Sequence, residues 1–399
     1  MLARGKRGYR FIEGGNPLLF LVCLVIFIDS AGYGVVVPVI PLYARKLGVG
    51  DFQLGFLFAT YAIALLVGAI PMGMLSDRLG RRPFILFGMF AMAGAFVFYA
   101  MAQSYTTLVI ARILDGLTAA ATWSAGLALI GDRFDGKEMG AKFGYCMAAM
   151  AMGTVAGPLI GGVLSDAAGY RAPFFFIAAV CIAGGIGSMF LKENPAERYG
   201  STATLKEMLA PILRNRVVML ACLVMLITTM GEGLLEPLLP LKLTDTFSLS
   251  ATGIGIMFGV TMATHGLASP LIGKLSDRIG RKKLIALGLL TTAIVYPFLA
   301  VVKNLAVMYV LMGLIGITVA LFAAPSLPLI TDAMPTAAPG EGNLYGTAFG
   351  LTNLFWSLGY ALGPLLGGAI TGWAGLLTAL SIYSALLVLL IFPVIKILE

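Results

Sequence analysis

Twelve apolar stretches of about twenty residues or more follow one another along this chain, separated by short polar breaks. A helix needs roughly 20 apolar residues to cross the hydrocarbon core of a bilayer. The stretches fall near 17–43, 52–76, 83–102, 105–131, 139–166, 172–191, 215–243, 250–275, 283–302, 305–332, 342–371 and 374–396. Inside lipid the backbone must satisfy its own hydrogen bonds, which leaves helices or closed barrels. Unbroken apolar runs such as Phe84 to Met101 and Leu376 to Ile395 lack the alternation of a barrel strand. Only 12% of the residues are charged, against about 25% in a soluble domain, and mean hydropathy is +0.95. The expectation is an all-α membrane protein of twelve transmembrane helices.

The net charge of +8 would suit a nucleic-acid partner, but its distribution argues against one. With the N-terminus inside, 21 of the 27 Lys and Arg fall on the inner side, five on the outer, and Arg112 lies within a span. This bias orients a membrane chain, here with both termini cytoplasmic. The four cysteines lie in apolar stretches and read as small core residues, with no metal-ligand spacing. No phosphate-binding G-x-x-x-x-G-K-[ST] loop and no Ser/His/Asp set or ligand cluster is present. The chain therefore reads as a non-enzyme without cofactor or metal, and any uphill transport draws on an ion gradient.

The two halves repeat. Pro38-Val39-Ile40-Pro41-Leu42 returns as Pro237-Leu238-Leu239-Pro240-Leu241, an offset of 199. Gly73-Met74-Leu75-Ser76-Asp77-Arg78-Leu79-Gly80-Arg81-Arg82 returns as Gly273-Lys274-Leu275-Ser276-Asp277-Arg278-Ile279-Gly280-Arg281-Lys282, an offset of 200. The run from Gly153 through Gly157-Pro158 to Gly162 returns from Gly359 through Gly363-Pro364 to Gly368, an offset of 206. Internal repeats of this kind mark transporter folds. They divide the chain into six-helix bundles at 1–192 and 215–399, joined by a charged linker at 193–214.

The doubled G-x-L-S-D-R-x-G-R-[RK] resembles the loop 2–3 signature of the major facilitator superfamily, and the resemblance covers essentially the whole chain. The Gly153–Gly162 run resembles the antiporter motif of its twelve-helix drug:proton exporters. Leu108 to Gly116, with Arg112, resembles their fourth-span motif, though the family usually has Gln where Asp115 stands. Asp29 with Pro38, and Leu235-Glu236-Pro237, resemble the first and seventh spans of vesicular monoamine transporters. The large lumenal loop of those proteins is absent between spans 1 and 2. The resemblance implies two pseudo-symmetric bundles, alternating access and a bacterial relative in a plasma or inner membrane, acting as a monomer.

Gly153, Gly157 and Gly161 share a helical face, where small residues let helices approach closely. That face either packs tightly or closes and reopens as the halves rock. Gly73 and Gly80 permit a tight turn, and Asp77 can oppose the positive end of a neighbouring helix. Arg78, Arg81, Asp277 and Arg281 complete the two gate loops, which serve topology and capping or act as a conformational latch.

Asp29, Arg112, Asp115, Glu232 and Glu236 all fall within spans. Each costs roughly 2.5–3.5 kcal/mol at a span centre, so intramembrane charge marks function. Arg112 and Asp115 are three apart and can pair on one helix face. Glu232 and Glu236 share a face; repulsion and desolvation penalise ionising both, which suits them to bind and release protons or to attract a cation. Glycines and prolines flank Asp29 and both glutamates, suggesting interrupted helices lining a cavity. Under the repeat, Asp29 maps to Thr228, Glu236 to Val37, and Arg112 to the apolar stretch near Ile315. The shared residues thus build the fold and the unshared charges are candidates for chemistry.

Relative to the monoamine transporters, Asn353 replaces an acid of the eleventh span, and apolar residues near Ala323 replace one in the tenth. This moves the proton site to Glu232 or Glu236. Phe322, Trp356, Tyr345, Phe355 and Tyr360 could line an aromatic cavity for a cation. His265, the only histidine, reads as a packing or hydrogen-bonding residue. The expected function is a proton-coupled antiporter exporting monoamines or lipophilic drugs. Asp29 would recognise the cationic nitrogen, Glu232 and Glu236 would take protons, substrate or both, and Arg112 and Asp115 would assist the proton. The alternative is a proton-coupled symporter or a lipid or sugar transporter of the same fold.

Overall fold

The computed structural model describes residues 15–134, 136–190, 215–333 and 344–397. They form twelve α-helices: α1 Gly15–Lys46, α2 Asp51–Leu79, α3 Arg81–Met101, α4 Tyr105–Arg133, α5 Gly136–Ala168, α6 Ala172–Ser188, α7 Arg216–Phe247, α8 Ala251–Ile279, α9 Arg281–Val301, α10 Leu305–Ala333, α11 Leu344–Ala374 and α12 Leu376–Ile397. Eleven are long and apolar enough to cross a membrane. The seventeen-residue α6 is just as apolar but shorter. The expected linker at 193–214 lies outside the described residues.

Local sequence starts and stops these helices. Ser104 Oγ accepts from the Thr107 amide at 3.3 Å, and Asn215 Oδ1 accepts from Val217 and Val218 at 3.0 and 3.3 Å, capping α4 and α7. Gly80 and Gly280 have φ of 106° and 92°, a region that disfavours any side chain, and they break α2 from α3 and α8 from α9. Gly80 therefore makes the expected turn, but a Cβ at Gly73 would meet nothing within 4 Å. Nothing packs closely on Gly73 in this conformation.

Helices α1 and α7 run unbroken through Pro38, Pro41, Pro237 and Pro240. The interruptions expected from those prolines do not occur. Each proline removes one backbone donor, and a long helix packed among neighbours tolerates the loss.

One apolar core unites α1 to α6. A second unites α7, α8, α9, α10 and α12, with Val37 and Leu42 of α1 entering it, while Tyr360 and Ala361 of α11 pack with Ala62 of α2 in a smaller cluster. Contacts repeat between the bundles: α1 packs on α5 as α7 packs on α11, and α2 on α4 as α8 on α10. Glycine spacing fixes the first of these. A Cβ at Gly153 would lie 2.5 Å from the Phe27 carbonyl oxygen and one at Gly161 2.8 Å from that of Val35, while one at Gly157 would strike the Ala31 carbonyl. In the second bundle Gly359 and Gly363 meet the Leu226 and Met230 carbonyls in the same way. The glycine stripe thus faces α1 within its own bundle. The seam between bundles falls on its neighbours: Pro158 and Gly162 against Gly255 and Ala251 of α8, and Pro364 and Gly368 against Gly55 and Asp51 of α2.

Twelve helices alternating in direction put residues 15 and 397 at one end, and the described seam contacts cluster toward the opposite, far end. There Asp166 of α5 accepts from the Ala251 and Thr252 amides at 3.2 and 2.8 Å. Arg45 of α1 pairs with Asp245 of α7 at 2.5 Å, both side chains about half exposed. The bundles are shut against each other at this end.

Candidate functional site

Four buried or half-buried acids and one guanidinium lie at mid-depth, distributed over α1, α4 and α7. Arg112 and Asp115 pair on α4 as expected, Nη1 to Oδ2 at 3.4 Å, with 1% and 2% exposure. Tyr99 of α3 donates to the same Oδ2 at 3.1 Å. Among the described residues, the Nε and Nη2 of Arg112 have no hydrogen-bond partner. Aromatic faces surround the group instead: Phe58 and Tyr61 of α2 at 4.8 Å and Tyr33 of α1 at 5.1 Å to the ring centroids. An aromatic face attracts a desolvated cation, which is how this charge is held in an apolar core.

Asp29 is 4% exposed and turns toward α4. Its two oxygens accept from Thr122 Oγ1 at 2.7 Å and Trp123 Nε1 at 3.0 Å. It thus stands inside the first bundle with both oxygens engaged. Thr122 lies seven residues beyond Asp115, on the same face of α4, and that periodicity is the signal that could have found it.

The two glutamates of α7, though on one helical face, have different surroundings. Glu236, 7% exposed, accepts a short hydrogen bond from Tyr33 of α1 and lies within electrostatic range of Arg112. Glu232 is half-buried and accepts from Tyr360 of α11 at 2.8 Å. The Tyr360 ring lies 4.3 Å from that of Trp356 and 6.3 Å from that of Tyr33, which itself lies 4.9 Å from Tyr61. An aromatic wall drawn from both bundles therefore joins the two glutamates. Asn353, Trp356 and Tyr360 recur at three and four residues along α11 and share a face, with Asn353 exposed.

Other candidates lie elsewhere. Phe322 is 2% exposed and packs in the second apolar core. His265 hydrogen-bonds the Gly316 carbonyl of α10. Asp77 pairs with Arg81 in its own loop, and Arg81 reaches Asp132 of α4 at 3.0 Å and Ser76 at 2.7 Å. The side chain of Tyr345 lies outside the described set. Sequence reasoning missed Tyr33, Tyr61 and Phe58 altogether. Tyr33 had a signal: the 199 offset places it opposite Glu232.

Chemically, four carboxyl groups face one guanidinium among the described residues. A buried charge without a partner is costly. Arg112 pairs with Asp115, and the other three acids meet hydrogen-bond donors but no ion-pair partner among the described residues.

The sequence model of the Major Facilitator Superfamily matches residues 22–230 and 221–398. The "Multidrug resistance protein 2" of Bacillus subtilis (strain 168) is 28% identical over 363 residues, 88% of this chain and 88% of that protein. The "Synaptic vesicular amine transporter" of Homo sapiens is 25% identical over 350 residues, 86% of this chain and 66% of that protein, just under two thirds of its length. Among solved structures, a bacterial homologue of the human lysosomal transporter Spinster, inward-facing and occupied, superposes with a TM-score of 0.80 at 16% identity, over 95% of this chain and 96% of that one. That last likeness speaks for the fold alone.

Proposed function

The chain belongs to the Major Facilitator Superfamily, and from that premise we propose that this transporter exchanges protons for organic cations, monoamines or lipophilic drugs, and moves them outward across a bacterial inner membrane. One observation carries the reading: the surplus of acids over the single intramembrane guanidinium. Three acids without a built-in counter-charge can be neutralised by protons or by a positively charged substrate. The two occupancies compete, and competition for one set of carboxylates is the least that antiport requires.

The division of surroundings suggests the roles. Glu232, half-buried beside Trp356 and Tyr360, is placed to receive a cation through its carboxylate and the aromatic faces. Glu236, with Arg112 in electrostatic range, repels a second cation and suits a proton. The basic bias of the loops puts both termini, and the near end, in the cytoplasm. The far-end seam is then the outer gate, shut in this conformer, so the bundles must part there for release.

Purified protein in liposomes with an imposed pH gradient tests the reading. Uptake of a radiolabelled monoamine that stops when the gradient is collapsed supports it. Movement of a neutral sugar or a lysolipid, with no monoamine uptake, rejects it.

A further inference from the structure

We propose that Tyr33 is a positioning residue that ties the proton on Glu236 to the closure of the two bundles. This rests on the antiport reading for its role in transport, but its geometry stands alone. Among the described residues, no hydrogen-bond donor other than the Tyr33 hydroxyl reaches the Glu236 carboxyl group. Tyr33 belongs to α1 in the first bundle and Glu236 to α7 in the second, so the bond crosses the seam. The first bundle holds the phenol firmly: Tyr61 packs on its ring at 4.9 Å and the Arg112 guanidinium stands over its face at 5.1 Å.

The contrast with Glu232 isolates the point. Tyr360 donates to Glu232 from α11, within the second bundle. That bond survives when the bundles part, whereas the bond from Tyr33 does not. Tyr33 is also the repeat partner of Glu232. The first half therefore presents a phenol at the depth where the second half has its acid.

A hydrogen bond to an ionised carboxylate is roughly twice as strong as one to a neutral acid. The tie is tight when Glu236 is ionised and slack when it is protonated. By linkage, separating α1 from α7 favours proton uptake by the same factor. The groups around this pair are Tyr33 on α1, Tyr61 on α2, Arg112 on α4, Glu232 on α7 itself and Tyr360 on α11, with Tyr383 of α12 facing Glu232. Arg112 and Glu232 both act on Glu236, and both stay in place in Tyr33→Phe. That substitution removes one hydroxyl and keeps the ring.

The test uses the full chain in liposomes. Nitroxide labels replace Arg45 and Asp245, which face each other across the far end, in a background whose four cysteines are changed to serine. Double electron–electron resonance then follows the seam from pH 5.5 to 8.5. In the wild type the closed population falls as the pH falls. In Tyr33→Phe the midpoint moves up by about one pH unit, as expected for losing a donor to a charged group. The half-saturating concentration of ethidium, used as the cationic probe, changes less than about threefold while its maximal rate drops by about tenfold, on the scale of one such bond. Glu236→Gln abolishes the pH response, and adding Tyr33→Phe to it changes nothing further.

A wild-type midpoint in Tyr33→Phe, or additive effects in the double variant, overturns the proposal. If Tyr33→Phe does not insert, a full pH response in Glu236→Gln alone is enough to overturn it. Wild type that exports no cation but keeps the pH-dependent seam defeats the antiport reading and leaves the tie intact. Proton-driven export with an unaltered Tyr33→Phe does the reverse.

Discussion

Removing the side chain of Asp166 should swing the far-end seam open. Its two oxygens take the Ala251 and Thr252 amides, first-turn donors of α8 that have no partner within their own helix. A carboxylate there also opposes the positive end of the helix dipole. The repeat places Gly372 at the corresponding point of α11, so only one of the two seams has this clasp. Hydrogen bonds to charged groups are worth about 1.5–3 kcal/mol when desolvated. Asp166 is exposed, and screening reduces each bond to roughly 0.5–1 kcal/mol. Two such bonds plus the dipole give about 1.5–2 kcal/mol, or a shift of roughly 10- to 30-fold between closed and open forms. Asp166→Asn keeps one acceptor and should lose about half of that free energy. Distances between spin labels on the far ends of α5 and α8 report the populations directly. A distribution in Asp166→Ala within twofold of the wild type would refute the reasoning, since the packing of Gly162 and Pro158 on α8 stays in place and the two amide bonds are what the substitution removes.

Further outcomes follow from the same geometry. Gly157→Ala drives a methyl into the Ala31 carbonyl and should cost several kcal/mol and most of the folded yield, whereas Gly73→Ala, facing open space, should leave thermal stability unchanged. Arg45→Ala breaks a pair about half exposed on both sides, so thermal unfolding should shift by less than the equivalent of about 1 kcal/mol. Asp77→Asn should fold, since its partner Arg81 also holds Asp132 and Ser76, but should stop turnover in liposomes. Asp29→Asn should weaken monoamine binding at least tenfold; unchanged affinity would assign Asp29 to the joint between α1 and α4.

The helices were legible because lipid leaves a spanning chain so few options. A polar backbone in hydrocarbon must be helical or close into a barrel, and unbroken apolar runs exclude the barrel, so apolar length located helices such as α3, and Gly80 and Gly280 marked the breaks. The prolines of α1 and α7 misled for a related reason. A breaker is judged against an isolated helix, and packed neighbours change that balance. Small residues four apart on α5 mark a face where a helix can approach closely, but spacing along one helix cannot say which neighbour it meets. A turn of 100° separates the face on α1 from the face on α8.

By itself, the sequence determined the number of helices, the two-fold repeat, the doubled loop motif and the list of charges that packing does not explain. Those are properties of segments about twenty residues long and of their composition. Only the tertiary structure decided which charges meet. Tyr33 and Glu236 lie 203 residues apart, Asp29 and Thr122 are 93 apart, and Asp166 is 85 from the amide that it caps. Each partnership depends on how two helices are rotated about their axes when the bundles pack. That rotation is set by the whole interlocking surface, by stripes such as Gly153, Gly157 and Gly161 against the backbone of α1, and by nothing local to the residues that it brings together.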